Sequence, residues 1–294
     1  MKENIWKKIG LIYTVSNDNP KLITHASNPV ALHLKDDIYR IFYSGRDSLR
    51  RSSVSYVDYD VEKQTIINDY KQTIVEPIEG SFYSHGITVG NIWKEKDDFY
   101  IGFMGWQHRE GEHWRGDIGK INLTDMSISL LLGKNNEDKI SLSYPFVMFD
   151  EGIYKMWYGS TESWTSENGE MIHTIKYATS YNCQEWDFKG TCIPYEIGKA
   201  QAFSKPSVYK DAKGYHMWFS YRGGDGIPYR IGYANSEDGK SWKMNQSNLS
   251  VSENGWDSEM VCYPYVFRHK NKLFMLYNGN RYGLEGFGLA TSNL

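Results

Sequence analysis

The sequence predicts an all-β fold: a five-bladed β-propeller whose ring is closed by the N-terminal strand. Three observations lead there. One strand-like pattern recurs five times, each copy is flanked by further strand-like runs across short polar turns, and the two chain ends each carry part of one unit. The recurring pattern alternates apolar or aromatic residues and ends in Gly, Ser or Asn: "IYRIFYSGRD" (38–47), "FYIGFMGWQH" (99–108), "IYKMWYGSTE" (153–162), "YHMWFSYRGG" (215–224) and "LFMLYNGNRY" (273–282). Alternation with period two, bounded by turn residues, places every second side chain on one face of a strand.

The runs before and after these segments complete the units. Preceding strands read from "NPVALHLKDD", "GITVGNIWKEKDD", "YPFVMFDEG", "KPSVYKDAKG" and "YPYVFRHKNK". Following strands read from "SSVSYVDYD", "GDIGKINL", "HTIKYATS", "YRIGYANS" and "GFGLATS". A fourth strand after a turn ending in Trp is plain in "SYNCQEWDFKGTCI" and "SEDGKSWKMNQSNL". The fifth unit ends without one, and "WKKIGLIYT" (6–14) opens with the same Trp, so it is expected to fill the vacancy. Repeated four-stranded units of this kind are the mark of a propeller, and exchange between chain ends removes open sheet edges. One domain over 1–294 is expected.

Composition narrows the function. The chain has 33 basic and 36 acidic residues, a net charge of -3, and no basic excess of the kind a nucleic-acid surface needs. No apolar run approaches the ~20 residues needed to span a bilayer. The opening "MKENIWKKIG" lacks the apolar stretch of a secretory leader, so a cytoplasmic, membrane-free protein is expected. Cys183, Cys192 and Cys262 are too few and scattered for a disulfide framework or zinc site. No phosphate loop, zinc spacing or nucleophile elbow is present, and neither cofactor nor metal is expected. With 23 Tyr, 12 Phe and 10 Trp, the sequence is rich in rings that suit both half-buried strands and the faces of sugars.

A propeller gathers first-strand starts and second-strand ends at one mouth of its channel. By that rule the funnel should hold His25, Lys205 and Tyr263 from first strands and Arg46, Asp47, Trp106, Glu162, Trp164, Tyr221, Arg222, Asn278 and Arg281 from second-strand ends. Tyr229 and Arg230 are added from a third-strand start, and His85 and Glu259 from first-strand entries. Asp257 in "NGWDSEM" reads as turn chemistry, whereas Glu259 beside Met260 and Val261 reads as a carboxylate facing the funnel. Trp106 and Trp164 serve either as sugar platforms or as covers on the core. Tyr43, Trp157, Trp218 and Tyr277 fall inside strands and read as packing; His33, His216 and His269 read as surface or strand-face residues. Arginines and Lys205 gathered at one mouth of an acidic protein point to an anionic ligand, since guanidinium grips phosphate or carboxylate with two parallel bonds. Some of these cations are expected to pair with Asp47, Asp225 or Glu259.

The units, the "NP" of the first strand and "YRIGYANSEDGKSW" resemble the five-bladed glycoside hydrolases of families 43 and 32 and the family 130 phosphorylases. "SGRD", "MWY", "WDSEMVCYPYVF" and "YNGN…GFGLA" are similar to bacterial propeller proteins of surface-polysaccharide and nucleotide-sugar clusters. The resemblance implies a carbohydrate-active enzyme on a sugar or sugar-phosphate ligand, in polysaccharide metabolism. Such hydrolases need two carboxylates flanking the scissile bond. Asn28 stands where the resemblance implies an Asp, so the usual acid set does not carry over. In its place Glu259 is assigned as acid or base, with His85 and Asp47 beside it. The competing readings are a non-catalytic glycan or nucleotide-sugar binder and an isomerase of an activated sugar.

Overall fold

The computed structural model describes residues 6–108 and 110–293. Strand β1 (Lys7–Tyr13) comes first. Strands β2 (Thr24–Lys35), β3 (Ile38–Arg46), β4 (Ser52–Asp60) and β5 (Thr65–Val75) then form one antiparallel ladder. The next ladder joins β6 (Gly86–Glu95), β7 (Asp98–Gln107), β8 (Arg115–Asn122) and β9 (Ile128–Leu132). It is followed by β10 (Ser141–Asp150), β11 (Ile153–Ser163), β12 (Ile172–Ser180) and β13 (Asp187–Thr191). The same order recurs in β14 (Ala202–Asp211), β15 (Gly214–Arg222), β16 (Arg230–Ser236) and β17 (Lys243–Asn245). The last ladder runs β18 (Cys262–His269), β19 (Lys272–Asn278) and β20 (Phe287–Asn293), with β1 paired antiparallel on β20. A single helical turn, α1 (Asn280–Gly283), interrupts the strands; among the described residues no helix is long and apolar enough to cross a membrane.

Strands β5 and β9 are not marked by the Trp that announces β13 and β17, and their largely exposed faces blur the alternation, which is why the sequence hides them. The first strands of successive ladders touch one another in the order β2, β6, β10, β14, β18, and β18 touches β2. Tyr43, Trp157, Trp218 and Tyr277 are buried, as their in-strand positions predict.

The Trp of each outer turn packs onto the neighbouring ladder. Trp242 meets Trp157 edge to face at 6.1 Å, and both indole N–H groups donate to the Gly239 carbonyl. Trp6, just before β1, meets Trp218 at 5.7 Å in the same way. Removing a buried ring of this size costs about 3–5 kcal/mol, so these tryptophans are the mortar between units.

Candidate functional site

A repeated backbone device aims side chains at the centre. Asn28, Tyr144, Lys205 and Tyr263 each precede a proline and each has positive φ (57°, 37°, 53° and 54°). At each, the ladder with the second strand skips register, between Ser27 and Val30, Ser143 and Phe146, Ser204 and Ser207, and Cys262 and Tyr265. Such bulges bend a strand and re-aim a side chain, at a local cost of order 1–3 kcal/mol for a non-glycine residue. In β6 the corresponding stretch is Val89–Gly90, with a skip to Asn91. Glycine is needed there because a Cβ would sit 2.4 Å from the Pro145 carbonyl of the adjacent strand.

These bulges ring a cavity of about 250 Å³. Ser27, Asn28, Thr88, Ser143, Tyr144, Ser204 and Tyr263 line it from first strands. Arg46, Trp106 and Arg222 come from second-strand ends, and Ser52, Trp114, His173, Tyr229 and Tyr282 are among the other residues of the wall. Among the described residues no aspartate or glutamate lines it. Arg222 is held from behind: its Nε lies 2.7 Å from Glu170 Oε2, and its guanidinium sits over the Tyr229 ring at 4.9 Å. Arg46 makes no ion pair among the described residues. The Asn28 side-chain oxygen is buried without a hydrogen-bond partner, although its backbone N–H donates to Asn278 Oδ1 at 2.7 Å.

Burial sets the charge of the remaining groups. His173, 2% exposed, has its imidazole pushed down to about 4 by desolvation and is neutral at pH 7. Desolvation raises Tyr144 to about 12 against the opposing hydrogen bond with Tyr263, and also raises Tyr229 and Tyr263. Among the described residues the cavity wall therefore carries the Arg46 guanidinium without an ion-pair partner and the Arg222 guanidinium paired from behind with Glu170, and no carboxylate lines it.

Of the residues nominated from sequence, Arg46, Trp106, Arg222, Tyr229 and Tyr263 meet at this cavity. Others lie beside it. His85 packs against Trp106 with the rings tilted, centroids 4.5 Å apart, without lining the cavity. His25 is held down to about 4 by desolvation and then by Arg46. Trp164 packs outside the wall, stacked on His113 at 4.7 Å and edge-on to Trp114 at 4.8 Å. Asn278 is buried, bonded to the Ala26 and Gly286 carbonyls. Lys205 is fully buried, and its Nζ donates to the Val89 and Gly90 carbonyls of β6.

The rest stand apart. Asp47 spends both carboxylate oxygens on its own turn, accepting from Leu49 N and Arg51 N at 2.9 Å and pairing with the Arg51 guanidinium, so it has no free face for chemistry. Glu259 is exposed and outside the cavity lining; its main chain, not its carboxylate, is engaged, through Asn280 and Arg230. Arg230 is thereby occupied with the Glu259 and Tyr229 carbonyls. Glu162 is exposed and accepts from Thr174, Tyr221 packs on Phe219, and Arg281 is exposed 3.9 Å from Glu285. The expected partners of the cations are also corrected: Arg222 pairs with Glu170, not with Asp225. Asp257 sits in a turn, as its sequence context predicts, but it is also buried, 2% exposed. His269, expected as a surface or strand-face residue, ends β18 and is buried between Tyr39 and Asp37.

His173, Trp114 and Tyr282 line the cavity without having been nominated. For His173 the repeat itself holds the signal. Counting four back from the tyrosines Tyr56, Tyr177 and Tyr233 of the third strands gives Ser52, His173 and Tyr229, all on the wall. Trp114 and Tyr282 arrive on a loop and on α1, which carry no repeat pattern. Asp37, Glu62 and His269 bring ligand atoms within 4.8 Å of one another far from this cavity, but Lys270 Nζ already sits 2.7 Å from Asp37, so the cluster is satisfied as ion pairs.

The fold has solved counterparts. A BT0996 RGII complex matches over 98% of this sequence and 91% of its own (TM-score 0.78, 14% identity). A structure from the GH130 family of mannoside phosphorylases, containing glycoside hydrolases that target β-1,2 mannosidic linkages in Candida mannan, matches over 99% of this sequence and 94% of its own (TM-score 0.70, 13% identity). A thermostable family-43 glycoside hydrolase matches over 96% and 91% (TM-score 0.63, 16% identity). At such identities the likeness defines an all-β protein of the propeller class found among glycoside hydrolases, and no more. No protein-family model matches the sequence. It is 35% identical over 297 residues to the uncharacterized proteins MT1551 and Rv1502 of two Mycobacterium tuberculosis strains, covering 97% of this sequence and 98% of each relative. The protein belongs to their family.

Proposed function

We propose that this protein is a carbohydrate-active propeller of one domain, five blades closed by the N-terminal strand, whose cavity takes an anionic sugar such as a sugar phosphate or nucleotide-sugar. The observation that carries this reading is the pair Arg46 and Arg222 on a wall that, among the described residues, has no carboxylate. Arg222 is already neutralised by Glu170, whereas Arg46 has its charge to spare, so one guanidinium orients and the other binds. The serines and Asn28 offer neutral hydrogen-bonding partners for hydroxyls, and Trp106 and Trp114 offer ring faces. The kinship in fold with glycoside hydrolases supports the sugar.

Binding is favoured over glycosidic cleavage by a carboxylate pair, because no aspartate or glutamate among the described residues lines the wall. Calorimetric titration with glucose, glucose 1-phosphate, glucuronic acid and UDP-glucose tests the reading. An anionic member should bind, glucose should not, and Arg46→Met should weaken binding about 10- to 100-fold, the worth of one charged hydrogen-bonded contact. Equal affinity for glucose and glucose 1-phosphate, or indifference to Arg46→Met, would sink it. Glu259→Gln should leave binding unchanged, since its carboxylate is outside the cavity.

A further inference from the structure

Three junctions between ladders share a latch. Ser44 Oγ accepts from Val89 N at 3.2 Å, Ser220 Oγ from Tyr263 N at 2.7 Å, and Asn278 Oδ1 from Asn28 N at 2.7 Å. The accepting residues occupy one repeat position, opposite Ser27, Ser204 and Cys262 in their ladders. In β7 the equivalent residue is Met104, opposite Thr88. In β11 it is Gly159, opposite Ser143, and glycine has no side chain with which to latch.

The space left at Gly159 is filled. Ser143 Oγ lies 2.7 Å from His173 Nε2, and His173 Nδ1 lies 2.8 Å from Thr161 Oγ1. A Cβ at position 159 would stand 2.1 Å from Ser143 Oγ and 2.4 Å from His173 Nε2, so the glycine is what admits the pair. The three side chains come from three adjacent strands, β10, β11 and β12, a rigid platform, and Ser143 and His173 line the cavity. Where a fold abandons its own repeated rule, function is the first explanation to test.

We propose that Ser143 and His173 form a nucleophile–base pair and that the cavity transfers short acyl groups from esters to water. Thr161 accepts from Nδ1–H and so leaves the Nε2 lone pair facing Ser143, a positioning role. As Oγ attacks the ester carbonyl carbon, Nε2 takes the hydroxyl proton, then returns it to the alkoxide as the ester C–O bond breaks. Acyl-Ser143 remains. Water adds to it, giving a proton to Nε2, and the carboxylic acid departs as the proton returns to Ser143 Oγ. Charge developing on the carbonyl oxygen faces a wall carrying Arg46 and Arg222. With threonine in place of a carboxylate behind the histidine, turnover is slow, so covalent capture is the apt readout. That the ester is borne by a sugar rests on the anionic-sugar reading; the capture does not.

The full-length protein is treated with diisopropyl fluorophosphate, and separately with p-nitrophenyl acetate, and followed by intact and peptide mass spectrometry. One adduct per molecule should appear on Ser143, be absent from Ser143→Ala, and form about 100-fold more slowly in His173→Gln. Gly159→Ala, which drives a methyl between the two groups, should abolish it; Thr161→Val, which keeps both groups, should slow it. Absence of an adduct on Ser143 in natively folded protein, or labelling indifferent to both His173→Gln and Thr161→Val, overturns the proposal. Protein that binds glucose 1-phosphate yet resists labelling loses this inference alone; protein that is labelled yet ignores every sugar keeps it and loses the anionic-sugar reading.

Discussion

Lys8 Nζ lies 2.6 Å from Asp257 Oδ2, and Tyr277 donates its hydroxyl to the same oxygen at 3.0 Å. The pair joins β1 to the loop before β18, so one carboxylate at the entry to the last unit ties the two ends of the protein together. Asp257 is 3% exposed at its side chain and Lys8 24%.

Loss of this tie should be costly. Removing one member of a buried pair leaves the other without compensation, at about 3–5 kcal/mol. Asp257→Asn is expected to lower stability by about 3 kcal/mol in urea unfolding, near the low end because Lys8 retains some solvent. Lys8→Met should cost as much or more, since it strands the deeper charge. An unchanged midpoint for both would contradict the role.

The two cavity arginines should separate binding from stability. Arg222→Leu strands Glu170, whose side chain is 3% exposed, and is expected to lose about 3 kcal/mol. Arg46→Leu breaks no ion pair and should stay within about 0.5 kcal/mol of the parent. Chemical denaturation of the two variants side by side decides this.

Acid should act on His173 before it acts on the carboxylates. Its folded value is depressed from 6.5 to about 4, so the unfolded state holds more protons between those limits and stability falls as pH drops through that window. At ~1.4 kcal/mol per unit the loss is roughly 3 kcal/mol, complete near pH 4. Asp150 acts in the same sense at lower pH: burial pushes its carboxyl up, but hydrogen bonds from Lys155, Lys210 and Tyr215 outweigh it and hold it at about 2, so its contribution is lost only as pH falls below 3.8. Thermal melts from pH 7 to 4 should show the first loss in the parent and a flatter profile in His173→Gln.

Lys205 predicts a rise on the alkaline side. Burial without a carboxylate partner pulls its amine well below the ordinary 10.5. The unfolded state again holds the extra proton, so stability should climb as pH rises toward 10.5, and Lys205→Met should remove the climb. A parental profile identical to that of Lys205→Met would refute the buried, uncharged amine.

Much of the architecture was legible in the sequence. Alternation located the strands of "IYKMWYGS" and its companions, because a pleated strand with one face in a core must alternate. The tryptophans in "SYNCQEW" and "GKSW" marked β13 and β17, and Trp6 marked β1, because each has a neighbouring ladder to cover. The site was legible only in part. Arg46, Trp106, Arg222, Tyr229 and Tyr263 follow from strand ends converging at one mouth. Asp47 and Glu259 did not follow, since a carboxylate at a strand end serves its own turn or solvent as readily as a cavity.

The sequence by itself determined the strand units, their order and the borrowed N-terminal strand, which follow from short-range periodicity and from turn chemistry. Only the tertiary structure decided which polar groups meet. The prolines after Asn28, Tyr144, Lys205 and Tyr263 are visible in the sequence, but the positive φ before each, and the inward turn of the side chain, arise from packing around the centre. That the turn residue Asp257 is also a tie depended on Lys8, nearly the whole sequence away. His173 faces Ser143 because Gly159, on a third strand, leaves the room, a relation that no local pattern encodes.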